Sequence, residues 1–145
     1  LQGPSRVYIA TLGAEDSLRP VEEDNVESRS AGLYDELLVY VRIEDDNVTL
    51  VARNATTLAE VGSVLGGIDA VTTRPTVGRG VVTWELTNQL EAAYAAWWPY
   101  MAQVDEVPVD ANAIAEGVSV GEHLVVALLK TSDGSVLWVD RLAPQ

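Results

Sequence analysis

The sequence predicts an α+β protein, mostly an antiparallel β-sandwich or barrel, with two main helices at about 57–67 and 88–98. Three observations predict it. Apolar and polar residues alternate over several runs of strand length. These runs follow one another through turn signals and do not alternate with helices, as parallel βαβ units would. Two segments in the middle of the chain switch to a helical period. At 145 residues the chain is long enough for one core and too short for two ordinary ones, so a single domain, 1–145, is expected.

The elements follow in order. Arg6 to Leu12 (RVYIATL) reads as a first strand, and Gly13 to Gly32 as a long polar loop. Loops beyond about 12–15 residues are uncommon in compact domains and tend to be functional or disordered. From Leu33 to Glu44 alternation of period two resumes. Leu37, Val39, Val41 and Ile43 fall on one face, and Leu38, Tyr40, Arg42 and Glu44 on the other. Asp45-Asp46-Asn47 is a turn, and Val48 to Arg53 the return strand of a hairpin.

Thr57-Leu-Ala-Glu60 has the form of a capping box, with Leu58, Val61, Leu65 and Ile68 on one helical face and Gly66-Gly67 as the stop. Val71–Thr73 and Gly80–Leu86 are strand-like. Asn88 opens the second helix, whose stripe is Leu90, Ala93, Tyr94 and Trp97, and Pro99 ends it near Trp98. Asp110 is expected to cap a short helical turn ending at Gly117. Leu124–Lys130 and Val136–Leu142 form a last hairpin through Ser132-Asp-Gly134, the clearest hairpin signal in the chain.

Composition narrows the function. An apolar fraction of 48% excludes a disordered chain. No apolar run approaches the roughly 20 residues of a membrane-spanning helix. Neither an initiator Met nor a signal-peptide pattern precedes Leu1, so a processed or partial chain is expected. Cysteine is absent, which excludes disulfides, thiol nucleophiles and Cys-based metal sites. There are 22 acidic residues against 9 basic, a net charge of −13, and Lys130 is the one lysine. Such a surface repels nucleic acid and anionic membranes, so neither is an expected partner. Two copies also repel each other until salt screens them, with a Debye length of about 3 Å at 1 M. High Asp and Glu, almost no Lys, small aliphatics and no Phe match a protein of an extreme halophile. An acidic protein from a GC-rich genome is the plainer alternative.

Sites of chemistry are scarce. His123 is the only histidine, so triads and nitrogen-rich metal sites lack their parts. Glu85 and Glu91 follow Trp84 in a pattern that suits carboxylate acid–base work on a sugar, yet close carboxylates arise by chance among 22 acids. Glu44-Asp-Asp-Asn47 and Glu22-Glu-Asp-Asn25 lack the spacing of a calcium loop and read as solvated turns. Gly78-Arg-Gly80 lacks the third glycine of a dinucleotide fingerprint. Asn47-Val-Thr49 and Asn54-Ala-Thr56 are N-glycan acceptor sequences, although chance matches to so short a pattern are common. No catalytic, cofactor-binding or metal-binding residue is assigned, and no cofactor.

Ser5-Arg-Val-Tyr-Ile-Ala-Thr-Leu-Gly13 (SRVYIATLG) resembles the opening of siphovirus major tail tube proteins, which begin with a short arm and a similar first strand. The resemblance spans nine residues and implies an antiparallel sandwich or barrel stacked as hexameric rings, with an arm or long loop bridging subunits. It transfers no functional residue, and the Trp pair of the second helix has no counterpart in it.

Together these features predict a non-enzymatic structural subunit of a large homo-oligomeric assembly. A halophile's virion protein, tail or capsid-associated, comes first, in the virion or outside the cell, and a cell-envelope component second. Its partners would be copies of itself and other assembly subunits. The candidate interface is Glu22, Glu23, Asp24 and Arg29 in the polar loop, ordered there by a neighbouring subunit, with Trp97, Trp98, Tyr100 and Met101. The alternative is a small-molecule or carbohydrate-binding domain, in its catalytic form a weak hydrolase using Glu85 or Glu91.

Overall fold

The computed structural model describes residues 4–65, 73–79, 81–85, 92–96, 103–106, 113–120 and 124–141. These residues form antiparallel strands and one 3-10 turn, Glu15–Ser17. A two-stranded piece joins β1 (Tyr8–Ile9) and β2 (Arg19–Pro20). The first large sheet is the meander β3 (Glu27–Tyr34), β4 (Leu37–Glu44), β5 (Asn47–Asn54) and β6 (Glu60–Leu65). The second is β7 (Thr76–Gly78), β8 (Val81–Glu85), β9 (Ala92–Ala96) and β10 (Gln103–Glu106). The third is β11 (Ala113–Val120), β12 (Leu124–Thr131) and β13 (Gly134–Arg141).

The expected α+β class is therefore corrected. Among the described residues there is no α-helix, and the strands lie in several small sheets that close no barrel. Within the helix expected at 57–67, residues 60–65 are the strand β6, and Gly66 and Gly67 lie outside the described residues. The entry to β6 is set by Asn54, whose Oδ1 accepts from the backbone N–H of Thr56 and Thr57, at 2.9 Å each. That side-chain turn competes with a helix start for the same donors. Leu58 then sits at φ 60°, outside any right-handed helix. The capping Thr57 reaches only Ala59 N–H, at 3.2 Å. Beyond it the chain pairs with β5, from Arg53↔Glu60 to Thr49↔Leu65.

Within the helix expected at 88–98, residues 92–96 are β9, held between β8 and β10. Alanine-rich segments favour helix by only tenths of a kcal/mol per residue, and pairing on both sides overrides that preference. Residues 88–91 and 97–98 lie outside the described ones. Of the helical turn expected from Asp110 to Gly117, residues 113–117 belong to β11, which carries a bulge between Ala115 and Gly117, and residues 110–112 lie outside the described ones.

The two strongest hairpin signals correspond to hairpins. Glu44 pairs with Asn47 across Asp45 and Asp46, whose φ values of 48° and 64° suit a two-residue turn matching strand twist. Thr131 pairs with Gly134 across Ser132 and Asp133. The alternation along β4 also holds. Val39, Val41, Leu50 and Ala52 form a core with Val82 and Trp84 of the second sheet. Leu38, Tyr40 and Val51 face the other way, under Val21, Val7 and Ile9. Leu50 alone, fully buried, contributes roughly 1.5–3 kcal/mol by leaving water.

Candidate functional site: a clamp beneath the arm

The amino-terminal arm lies across the outer face of the first sheet. Val21 N–H donates to Val7 O at 3.1 Å and Ser28 N–H to Ser5 O at 3.0 Å. Ser28 Oγ, buried, accepts from Val7 N–H at 2.8 Å. Val21 and Val26 are buried as well. The polar stretch from Pro20 to Gly32 thus takes its order from its own chain. Its two inward valines and buried serine fit beneath the arm, and from Glu27 onward it is strand β3.

At the centre of that contact is a cluster of charge. Tyr40 is fully buried and its hydroxyl donates to Glu22 Oε1. The same hydroxyl accepts from Arg53 Nε at 2.7 Å. Arg53 also donates through Nη2 to Glu22 Oε1 at 3.1 Å and through Nη1 to Leu58 O at 2.7 Å. Arg42 Nη1 stands 3.6 Å from Glu22 Oε1 and 3.3 Å from Glu60 Oε2. The Glu22 side chain is only 8% exposed, and the two arginines are about a fifth exposed. Two cations and two anions balance, which lets the group stay largely out of water.

Burial pushes the Tyr40 phenol well above its usual range. The bond to Glu22 adds to this, and the bond from Arg53 opposes it. Burial by itself would lower Arg53, but its bonds to Tyr40 and Glu22 outweigh that and raise it. The cluster is a clamp that fixes Glu22, and with it the arm, to the sheet.

The candidate interface residues fall in different settings. Glu22 is spent inside the clamp. Glu23 is exposed. Asp24 is almost fully exposed and pairs with Arg6 at 2.8 Å. Arg29 pairs with Glu27 on its own strand. Trp97, Trp98, Tyr100 and Met101 lie outside the described residues, as do Glu91 and His123. Trp84, 3% exposed, belongs to the core between the sheets, and its Nε1 has no hydrogen-bond partner. Asn47 is exposed at a hairpin turn, while Asn54 holds the turn before β6. Among the described residues, no group of three or more His, Cys, Asp or Glu is placed to hold a metal ion.

Sequence reasoning missed Tyr40, Arg42, Arg53 and Glu60. A signal was present: two of only nine basic residues stand inside strongly apolar strand sequences. A cation on a buried face needs a carboxylate beside it.

A different feature bears on partners. Among the described residues, most of the large apolar side chains that are exposed lie on two parts of the molecule, the arm and its neighbourhood and strand β13. On β13, Val136, Leu137 and Val139 are each more than half exposed. Leu12 and Leu18 stand out at the arm's tip. Compared with models of known protein families and with curated proteins, the chain matches none.

Proposed function

We propose that the chain is a non-enzymatic structural subunit of a large homo-oligomeric assembly that works at high salt. A virion component of a halophile, tail or capsid-associated, fits this best, as the resemblance at Ser5–Gly13 suggests, and a cell-envelope component next. The observation that carries the reading is the run of exposed apolar residues on β13 in a chain of net charge −13. Isolated exposed apolar residues are ordinary; here Leu137 and Val139 share one face of the strand and Val136 lies on the other, so both faces of β13 leave apolar area that a partner would cover. The acidic charge keeps copies apart at low salt and stops doing so once it is screened.

Light scattering on the purified chain, at low salt and in about 3 M KCl, tests this. Association at high salt supports the subunit reading, and a compact monomer at both salts overturns it. The ligand-binding alternative expects an enclosed apolar pocket near Trp84 or Trp97; Trp84 is packed into the core between the sheets, and Trp97 lies outside the described residues.

A further inference from the structure

Edge strands invite pairing with other chains, and proteins protect them with bulges, charge or shortness. The edges of the three large sheets can be compared on that basis. β3 has a bulge between Arg29 and Gly32, and β6 faces a register shift between Ala52 and Arg53 and begins with Glu60. β7 is three residues long. β10 has four residues, of which Asp105 and Glu106 are acidic. β11 carries its bulge at Glu116. β13 is eight residues long, has no bulge, and carries charge only at its end, in Asp140 and Arg141. It pairs with β12 through eight unbroken positions, Thr131↔Gly134 to Leu124↔Arg141. Its Ser135-Val-Leu-Trp-Val139 segment has no charge, no proline and no bulge.

We propose that β13 is a docking edge for a second copy of this chain, pairing antiparallel with the same strand about a twofold axis. The inference deepens the assembly reading and rests on it for the identity of the partner.

Backbone geometry limits the possible registers. The two-residue turn directs the Gly134 N–H toward β12, so alternate residues 136, 138 and 140 also face β12. The outward groups belong to Ser135, Leu137, Val139 and Arg141. A symmetric pair must place outward residues opposite one another, which the register centred on Leu137 does. Leu137 then meets its own mate, Ser135 meets the second copy's Val139, and Val136 lies opposite the second copy's Trp138.

Charge selects this register from its neighbours. Only when Leu137 is the centre does Asp133 stand opposite the second copy's Arg141, once at each end of the seam. Both residues also have interactions within their own chain. The neighbouring registers that keep outward residues opposed are centred two residues away: on Val139, where Arg141 meets Leu137, or on Ser135, where Asp133 meets Leu137. An isologous contact repeats each favourable pair twice. Like charges do not meet across it, so the net charge of −13 opposes association only through long-range repulsion, which molar salt removes.

The absence of cysteine makes the test clean, because a single introduced thiol is unique. Leu137→Cys, in the full chain at about 3 M KCl, is treated with a short crosslinker that carries two thiol-reactive maleimides. Directly opposed Cα atoms about 5.5 Å apart are within its reach. Covalent dimer is expected from Leu137→Cys and only background from Ser135→Cys alone, while a mixture of Ser135→Cys and Val139→Cys chains crosslinks. Leu137→Lys, at an exposed position that leaves the fold intact, should weaken association about tenfold or more. Asp133→Arg should weaken it too, and adding Arg141→Asp should restore it. If the wild type assembles but Leu137→Cys gives no dimer, or Leu137→Lys assembles unchanged, the β13 seam is wrong and the assembly reading survives. If the wild type stays monomeric at both salts, the assembly reading itself fails and this proposal with it.

Discussion

Replacing Glu22 with Ala removes the one carboxylate that touches Tyr40 and Arg53 together. Breaking a buried ion pair from one side costs about 3–5 kcal/mol, because the partner charge is left without compensation. Two features reduce that figure here. Both arginines are about a fifth exposed, so water reaches them. Glu60 also remains at 3.3 Å from Arg42 and 4.0 Å from Arg53. The expected loss is therefore about 2–3 kcal/mol. Glu22→Gln keeps an acceptor for the Tyr40 hydroxyl and should lose about 1–2 kcal/mol. Urea denaturation followed by tryptophan fluorescence measures both, and urea leaves ionic strength under separate control. The losses should be nearly the same in dilute buffer and in about 3 M KCl, because a buried pair is poorly screened. Asp24→Asn, which removes the exposed pair with Arg6, should change stability by less than about 0.5 kcal/mol at either salt. A loss below about 0.5 kcal/mol for Glu22→Ala would refute the clamp. So would a loss that vanishes at high salt.

Three further outcomes are expected. Gly32→Ala would place a Cβ 2.7 Å from the backbone oxygen of Pro75, which cannot rotate away, so a loss of about 1–3 kcal/mol by thermal or urea unfolding is expected. The Tyr40 phenol ionises later in the folded chain than in the unfolded one, so the folded state holds the extra proton and stability falls as pH rises above about 10. Unfolding midpoints between pH 8 and 11, at constant salt, should show a smaller alkaline drop in Tyr40→Phe than in the wild type; equal drops would assign the effect elsewhere. Trp84→Phe should cost no more than about 1 kcal/mol, because losing the unpartnered Nε1 offsets the lost packing volume, whereas Leu50→Ala in the same core should cost about 2–5 kcal/mol.

Much of the hairpin structure is legible in the sequence alone. Alternation along Leu37–Glu44, the Asp45-Asp46 turn and the Asp133-Gly134 signal involve neighbours a few residues apart, whose geometry depends on local sterics and on side-chain period. The acidic balance and the absence of cysteine likewise need no structure to be read. The segments read as helices show the limit of that reasoning. Leu58, Val61 and Leu65 fit a helical face, but Gly62 and Val64 also alternate inward on a strand, and the choice fell to the open edge of β5. Ala92–Ala96 was decided in the same way by β8 and β10 on either side of it. Propensity differences of tenths of a kcal/mol cannot compete with a row of backbone hydrogen bonds that must find partners.

The clamp depends still more on tertiary structure. Glu22 and Arg53 are 31 residues apart, and nothing local to either one names the other. The sequence by itself determined that the chain is acidic, cysteine-free and rich in antiparallel hairpins. Only the tertiary structure decided that Glu22 turns inward, that Trp84 is core, and that β13 is, among the described residues, the edge of its sheet with Val136, Leu137 and Val139 exposed. Those outcomes depend on which distant surfaces meet, and burial and charge pairing act across space, whatever the distance along the chain.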